Sequence, residues 1–430
     1  MYPYVDYYKE YGRIMQFNKN KGEPVHRWYS FVEGYSKEFI QSIVNEIEDK
    51  SVVCLEPFSG SGTTSLELQK IGMKCISFEV NPFMYLVGKV KLFTGYKSDE
   101  LKKWFDYLST RYSEIHINSV SSCFPSLYQS ENNKKWNLDT EVAIAVEKLR
   151  LAINQISDKY YKDLLTVALA SILLDVSNLY RNGKCLSYKR NWKLTNLTEK
   201  DVYNKFSDKV LGDMLTDISG IEKEWSDSRF PDNYNLLYND DCRYGIGARV
   251  EDNSIGLVIT SPPYLNSRDY TDTYMLELKT LGFTKSMNEI SELRKKTLRS
   301  HVQIKWKDTT QINNGKLKKT IDELKQYEAD NEVWNSSIID MVRLYFVDME
   351  SLFSTLFLKT KKGGKVFFNV SNSAYFGITI DTLNICASIA ESVGFSVKEI
   401  RKARFLKTSP QQKTSVDRLL EGVIVMEKNK

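Results

Sequence analysis

The chain has 430 residues, of which 42% are hydrophobic and 12% aromatic, so it can bury a large core and is not an intrinsically disordered protein. Its 60 Lys and Arg residues slightly exceed its 55 Asp and Glu residues, which permits a polyanionic partner without requiring one. Six cysteines without a Cys-x-x-Cys pair and three histidines argue against a metal centre and a disulfide framework. No charged and apolar leader opens the chain, and no apolar run reaches the roughly 18 residues that a membrane span needs. We therefore expect a cytoplasmic protein without a membrane partner.

The first predicted α/β unit contains a glycine turn. A strand at residues 52–55 leads into a turn with Gly60 and Gly62, and an amphipathic helix follows. The glycines allow the backbone to approach a ligand closely, and the N-terminus of the helix directs free N–H groups at it. The next strand ends at Glu79, where a nucleoside-binding α/β fold places the carboxylate that binds ribose hydroxyls.

A second distinctive stretch is a strand that ends in a proline-locked tip. Residues 257–260 are apolar or β-branched, and Ser261, Pro262, Pro263 and Tyr264 follow them. The prolines fix the backbone, so the serine hydroxyl, the Pro262 carbonyl and the tyrosine ring are presented in one geometry. An ordinary turn at a strand end is the simpler alternative.

The remaining strands complete a predicted sheet. Seven strands are expected, at residues 52–55, 75–79, 236–238, 257–260, 365–370, 395–400 and 422–427. Right-handed crossovers would place helices on both faces and ligands at the carboxyl ends of the strands. The fold class is therefore α/β, with Gly60, Glu79 and Ser261 at one edge of the sheet.

The glycine turn and the proline tip together resemble the S-adenosylmethionine-dependent amino-methyltransferases of DNA. The cofactor motif of that family, acid-Pro-Phe-x-Gly-x-Gly, matches Glu56 to Gly62, and its catalytic motif, Asp/Asn/Ser-Pro-Pro-Tyr/Phe, matches Ser261 to Tyr264. The resemblance implies a seven-stranded Rossmann-like class I methyltransferase sheet with a large helical insertion. It also implies S-adenosylmethionine as the cofactor and double-stranded DNA as the partner, with an associated restriction nuclease left open.

The resemblance also implies a set of cofactor-binding residues. They are Glu56, Phe58, Gly60, Gly62, Thr63, Glu79, Asp241, Trp28 and Tyr29. Asp241 would accept a hydrogen bond from the adenine amine, although Asp240 and Asp241 are equally suited to capping the next turn. Trp28 and Tyr29 would close over the methionine end of the cofactor, and packing of these aromatic side chains on the core is the alternative.

The catalytic residues that the resemblance implies are Ser261, Pro262, Pro263 and Tyr264. The exocyclic amine of a base would donate its hydrogens to the serine hydroxyl and the Pro262 carbonyl, and Tyr264 would stack on the extruded base. In this family, Ser at the first motif position favours cytosine N4, whereas Asp or Asn favours adenine N6.

Two basic segments predict DNA contacts. The expected divisions are an N-terminal segment with the cofactor-binding half at 1–96, a helical insertion and candidate DNA-recognition region at 97–230, the catalytic strand and loop at 231–285, a basic insertion at 286–334 and the rest of the sheet at 335–430. The candidate DNA-binding residues are Arg181, Lys184, Lys189, Arg190, Arg294, Lys295 and Lys296. Solvated helical faces are the simpler explanation of these charges.

Other activities stay open at the level of sequence. An adenine-N6 or an RNA base methyltransferase would use the same core, and a protein-glutamine methyltransferase usually carries Asn rather than Ser before the two prolines. A catalytically silent DNA-binding module is the non-enzyme alternative. Loss of the glycine turn or the proline tip would be expected there, and both are intact.

Overall fold

The computed structural model describes residues 2–32, 34–182, 185–225, 230–266, 269–408 and 417–429. The strands of this part of the chain are β1 (Tyr4–Asp6), β2 (Val53–Glu56), β3 (Cys75–Phe78), β4 (Leu179–Asn182), β5 (Cys185–Tyr188), β6 (Leu237–Tyr238), β7 (Ile255–Thr260), β8 (Thr360–Ser371), β9 (Ser373–Tyr375), β10 (Ile378–Ile380), β11 (Ser396–Lys407) and β12 (Arg418–Glu427).

The α-helices of the same part of the chain are α1 (Tyr8–Tyr11), α2 (Lys37–Asn45), α3 (Thr63–Lys70), α4 (Pro82–Leu92), α5 (Ser98–Glu114), α6 (Thr140–Asn154), α7 (Lys159–Val176), α8 (Glu199–Ser207), α9 (Leu215–Trp225), α10 (Cys242–Arg249), α11 (Met275–Thr280), α12 (Met287–Lys296), α13 (Gly315–Asp330), α14 (Ile338–Lys359) and α15 (Thr382–Ser392). A π-helical segment, Asp208–Met214, joins α8 to α9. Among these helices, none combines the length and apolar character that a membrane crossing requires.

The central sheet is mostly parallel. Its strand order is β1-β11-β12-β8-β7-β2-β3-β6, and β12 runs antiparallel between β8 and β11. All seven predicted strands are present, but the sheet has an eighth, β1, so the predicted strand count is wrong. The reason is that β1 has only three residues, two of them exposed, and it joins the sheet through backbone pairing with residues Ile400 to Lys402. It therefore lacks the alternating apolar pattern of a strand with one buried face.

Alternate residues of the central strands pack against helices on opposite faces of the sheet. In β7, Leu257 and Ile259 join a core with Phe39 and Ile43 of α2. Val258, between them, joins a second core built largely from α10, α14 and α15. This two-residue alternation buries both faces, as a parallel sheet requires.

Residues 98–225 fold mainly as the helices α5 to α9. Their apolar side chains share one continuous core with α4, including Val87 of α4 and Leu164 of α7. The structure adds the hairpin β4–β5, where the sequence suggested a basic turn. The helical segment thus packs directly on the helix that follows β3.

Candidate active site

A cavity of about 350 Å³ opens where the parallel strands reach their carboxyl ends. We call the part near β2 and β3 the turn end, with Gly60 and Glu79 on the cavity wall and Glu56 buried behind them. The part near β7, β8 and β12 we call the loop end, and it contains Ser261, Tyr264, Asn369 and Glu421. Cavity-lining residues from the predicted sites are Phe58, Gly60, Thr63, Glu79, Asp241, Ser261, Pro262, Pro263, Tyr264 and Lys296.

The glycine turn is tight. Gly60 and Gly62 both have positive φ, at 53° and 82°, a conformation that favours glycine. A Cβ atom at Gly60 would lie 2.8 Å from the ring of Phe31, and one at Gly62 would lie 3.2 Å from the Cα atom of Gly88. Gly62 itself lies at the N-cap of α3 rather than on the cavity wall. The two glycines therefore serve both the turn and the close packing behind it.

Glu79 joins the turn to the end of β3. Its Oε2 accepts from the Gly60 N–H at 2.8 Å, and its Oε1 accepts from the Asn81 N–H at 2.8 Å. Each carboxylate oxygen keeps a second acceptor position, and the side chain lines the cavity. Burial raises the pKa of Glu79 to about 7.

Glu56 is buried behind the turn and does not line the cavity. Its Oε1 accepts from Thr260 Oγ1 at 2.6 Å and the Phe58 N–H at 3.0 Å, and its Oε2 accepts from the Tyr35 hydroxyl at 2.7 Å and Thr64 Oγ1 at 2.9 Å. Burial raises the pKa of Glu56 to about 7. The carboxylate thus connects the glycine turn to the strand that precedes Ser261.

Asp240 and Asp241 both reach the cavity beside α10. Asp241 caps that helix through the Arg243 N–H at 3.0 Å and is paired with the Arg243 guanidinium at 2.7 Å. Asp240 accepts from the Asp241 N–H at 2.9 Å and is the more exposed of the two. The capping arrangement, which the sequence left as an alternative, is present.

Trp28 and Tyr29 lie in the core rather than at the cavity. Trp28 is fully buried and donates from Nε1 to Asp217 at 2.9 Å, and Tyr29 donates from its hydroxyl to Glu277 at 2.7 Å. Both side chains were expected to close over the cofactor, and their position in the core corrects that expectation. The rings are buried among apolar side chains, while the N–H and O–H groups donate to buried carboxylates. Phe31 from the same segment lines the cavity instead.

The loop end holds a hydrogen-bond network around Tyr264. Its hydroxyl donates to Glu421 Oε1 at 2.6 Å and accepts from Asn369 Nδ2 at 2.7 Å. The Ser261 hydroxyl lies 3.3 Å from the Tyr264 hydroxyl. The Arg404 guanidinium donates to the other oxygen of Glu421. Burial raises the pKa of Tyr264 well above its usual value, with Glu421 adding to the effect.

Sequence reasoning missed Asn369, Arg404 and Glu421. Asn369 is a buried polar residue inside the apolar run of β8, and Glu421 is a buried acid near the start of β12. A polar or charged side chain at a core position of a predicted strand was the available signal, because such groups are buried only with partners.

Arg181 makes its contacts inside the protein. Its guanidinium donates to the Tyr29 hydroxyl at 2.7 Å and to Glu277 at 2.6 Å, and the side chain is largely buried. A guanidinium in these contacts is not available to a DNA phosphate. The structure therefore does not support the predicted role of Arg181 in DNA binding.

Two further basic candidates are also held internally. Lys189 donates to three backbone carbonyls at the end of α7, at distances of 2.6–3.1 Å. Arg294 is paired with Asp269 at 2.9 Å and Asp272 at 2.5 Å. Both cations satisfy local acceptors, which a run of charge in the sequence cannot reveal.

The other basic candidates differ in position. Arg190, Lys295 and Lys296 are exposed, and Lys295 is paired with Glu292 at 2.6 Å. Lys296 also lines the cavity. Lys184 falls outside the described residues.

Within the described ranges, no group of three or more His, Cys, Asp or Glu side chains is arranged to hold a metal ion. The polar side chains that line the cavity are therefore interpreted as hydrogen-bond donors and acceptors for a ligand. The turn end fits a nucleoside cofactor because the Glu79 carboxylate has acceptor positions left at the cavity wall.

Comparison with known proteins finds type II methyltransferases. No family model matches the chain. It is 26% identical to the type II methyltransferase M.BsoBI of Geobacillus stearothermophilus, over 93% of this chain and 84% of that protein. It is 26% identical to the type II methyltransferase M.AvaI of Anabaena variabilis, over 90% of this chain and 82% of that protein. The type II methyltransferase M.MvaI of Kocuria varians is 22% identical over 58% of this chain and 55% of its own length. The chain is thus similar, over most of its length, to type II methyltransferases.

Proposed function

We propose that the protein is a site-specific DNA methyltransferase that uses S-adenosylmethionine and modifies the exocyclic amine of an extruded base, with cytosine N4 as the favoured target. The observation that carries the proposal is that Gly60, Glu79 and Ser261 line one cavity, although they follow three different strands. The similarity to type II methyltransferases supports a site-specific DNA methyltransferase of a restriction-modification system.

The turn end is proposed to bind the cofactor. Glu79 would accept hydrogen bonds from the ribose hydroxyls, while its existing bond from the Gly60 N–H keeps it in place. Phe58 offers an apolar wall. Both acids beside α10 are ion-paired, Asp240 with Arg249 at 3.4 Å and Asp241 with Arg243 at 2.7 Å. Asp240 is less buried and has the longer contact, so it is the better placed acceptor for the adenine amine. Bound S-adenosylmethionine supplies an electrophilic methyl group on a sulfonium.

The loop end is proposed to bind the base. Ser261 and the Pro262 carbonyl would accept the two hydrogens of the target amine, which draws its nitrogen towards a tetrahedral shape with the lone pair exposed. The lone pair forms the new N–C bond, the electrons of the old C–S bond remain on sulfur, and one amine proton leaves to water. Tyr264, fixed through its hydroxyl, would offer its ring to the extruded base.

Ser261 is the observation that favours cytosine over adenine, through the motif preference noted above. Both amines carry the same two hydrogens, so the assignment depends on the pocket walls as well. Adenine N6 therefore remains the second candidate for the target atom.

Nucleoside analysis tests the proposal directly. The protein is incubated with isotope-labelled S-adenosylmethionine and unmethylated plasmid DNA, and the digested nucleosides are separated by mass spectrometry. We expect labelled N4-methylcytosine. Labelled N6-methyladenine would keep the enzyme class and overturn the target. Label in a parallel RNA sample but not in DNA, or no label in either, would overturn the function.

A further inference from the structure

We propose that Arg404, Glu421, Tyr264 and Asn369 form a positioning relay that fixes the direction of the Ser261 hydrogen bond, so that Ser261 Oγ accepts one hydrogen of the target amine and Asn369 Oδ1 shares the other with the Pro262 carbonyl. The inference rests on the proposed methyl transfer and assigns roles to residues outside the Ser-Pro-Pro-Tyr motif. We call these four residues and Ser261 the relay.

Strand register brings the relay together. Thr260 of β7 pairs with Phe368 of β8, so the next residues, Ser261 and Asn369, lie side by side. Glu421 of β12 pairs with Arg404 of β11 on one side and with Ser371 of β8 on the other. Residues that are far apart in the chain thus meet at one end of the cavity.

The chemistry of Glu421 sets the direction of the hydrogen bonds. An ionised carboxylate can only accept, and its charge is matched by the Arg404 guanidinium. The single proton of the Tyr264 hydroxyl therefore goes to Glu421, over 2.6 Å. The Tyr264 oxygen is then left to accept from its other neighbours.

The accepting Tyr264 oxygen also fixes the orientation of the Asn369 amide. Its Nδ2 donates to the Tyr264 hydroxyl at 2.7 Å and lies 3.4 Å from Ser261 Oγ, so the amide must turn its Oδ1 away from Tyr264. That oxygen is buried and has no hydrogen-bond partner among the described residues. Asn369 is 2% exposed and lines the cavity. A buried, unpartnered acceptor beside Ser261 is suited to receive a hydrogen from a bound amine.

The Tyr264 oxygen likewise fixes the orientation of the Ser261 hydroxyl. Its hydroxyl can donate only one proton, and the Tyr264 oxygen accepts that proton at 3.3 Å. Of the two lone pairs of Ser261 Oγ, one faces the Asn369 Nδ2 donor at 3.4 Å, and the other is left for a hydrogen of the target amine. No relay residue gains or loses a proton during methyl transfer, so its effect is on orientation.

A structural role for the same residues is the competing explanation. Arg404 and Glu421 lie on the β11–β12 hairpin, and their ion pair could simply hold that hairpin together. The two explanations differ in how mutations combine. The residues of a relay act as a unit. A mutation of one member therefore removes most of the effect on kcat, and a second mutation lowers kcat little further.

A double-mutant cycle separates the two explanations. Glu421→Gln keeps the shape of the side chain but allows it to donate to Tyr264, which would reverse the relay. We expect kcat to fall about 10- to 100-fold, while the dissociation constants of S-adenosylmethionine and DNA change less than about twofold. In a Tyr264→Phe background, which removes the hydroxyl, Glu421→Gln should reduce kcat by less than about twofold further.

Glu399→Gln is the matched control, because Glu399 is paired with Arg401 on the same hairpin at 2.7 Å but does not line the cavity. It should leave kcat unchanged. Losses that multiply in the Glu421 and Tyr264 double mutant would overturn the relay, as would a parallel loss in Glu399→Gln.

If Glu421→Gln loses cofactor binding or unfolds, the cycle is repeated with Arg404→Met, which removes the guanidinium that is paired with Glu421. Arg404→Met should lower kcat with cofactor affinity retained, and it too should reduce kcat by less than about twofold further in Tyr264→Phe. Multiplicative losses in this cycle overturn the relay. Absence of any methylated nucleoside with the parent protein would instead refute the proposed function.

Discussion

The two ends of the cavity hold buried carboxylates in opposite ways. At the turn end, Glu56 and Glu79 accept from neutral hydroxyl and backbone N–H groups, and burial raises the pKa of each to about 7. At the loop end, Glu421 is matched by the Arg404 guanidinium and accepts from Tyr264. The turn end can therefore change its charge near neutral pH, whereas the loop end has a compensated charge that can set hydrogen-bond direction.

The largest effect should come from removing the acceptor at the loop end. Ser261→Ala is expected to lower kcat by roughly 100- to 1,000-fold, because the target amine loses a positioned hydrogen-bond partner. Cofactor affinity should be unchanged, since the turn end is untouched. Single-turnover methylation of plasmid DNA and calorimetry measure the two quantities. Ser254→Ala, at the opposite edge of the same sheet, is the control. Equal activity of the Ser261 variant and the parent protein would show that the loop end does not supply the acceptor for the target amine.

The next largest effect should be on cofactor binding at the turn end. Glu79→Ala is expected to weaken S-adenosylmethionine binding about 10- to 100-fold, through loss of the ribose acceptor and of the bond that holds the turn. Glu79 ionises as pH rises through about 7, so the affinity of the parent protein should increase over that range. Calorimetry at pH 6 and pH 8 measures both. Glu79→Gln, which cannot ionise, should show no such increase, and a parallel pH profile would contradict the assignment.

The third effect should be on stability, through the raised pKa of Glu56. The pKa of Glu56 is about 7 in the folded protein against an ordinary value of 4.5, so between these pH values the folded state holds a proton that the unfolded state has lost. The free energy of unfolding should therefore fall as pH rises from 4.5 to 7, by up to about 3 kcal/mol. Urea unfolding of Glu56→Gln should show a flatter profile. The exposed Glu48→Gln is the control, and identical slopes for Glu56→Gln and the parent would refute the explanation.

The smallest effect concerns DNA contacts at the cavity mouth. Lys296 is exposed beside the cavity, so Lys296→Gln should lower the salt dependence of DNA binding by about one unit of slope. Cofactor affinity should not change. Fluorescence anisotropy at several salt concentrations measures the slope. Lys103→Gln, on α5, is the matched control, and the same slope for all three proteins would leave Lys296 as a solvated surface charge.

The residues that sequence reasoning found are those whose role follows from local backbone geometry. Gly60 and Gly62 have the positive φ that a glycine turn implies, and Ser261 to Tyr264 follow a buried strand as expected. Their placement needed few assumptions, because strand, turn and helix are encoded within a few adjacent residues.

The residues that were missed or misplaced depend on distant partners. Asn369 and Glu421 lie 105 and 157 residues from Tyr264 in the chain, and nothing in their neighbourhood indicates that contact. Trp28 and Arg181 were expected at ligands, yet Asp217 and Glu277 hold them inside the protein. The charge and aromatic character of a segment do not specify which partner it meets.

The antiparallel position of β12 has a consequence for how the chain matures on the ribosome. β12 lies between β8 and β11, and β1 pairs with β11, so neither β1 nor β11 can join the sheet until β12 has left the exit tunnel. Glu421 belongs to β12. A nascent chain in which β2, β3, β7 and β8 have already paired therefore still lacks Glu421 at the loop end, and binding of a nucleoside at the turn end should precede competence for methyl transfer during synthesis.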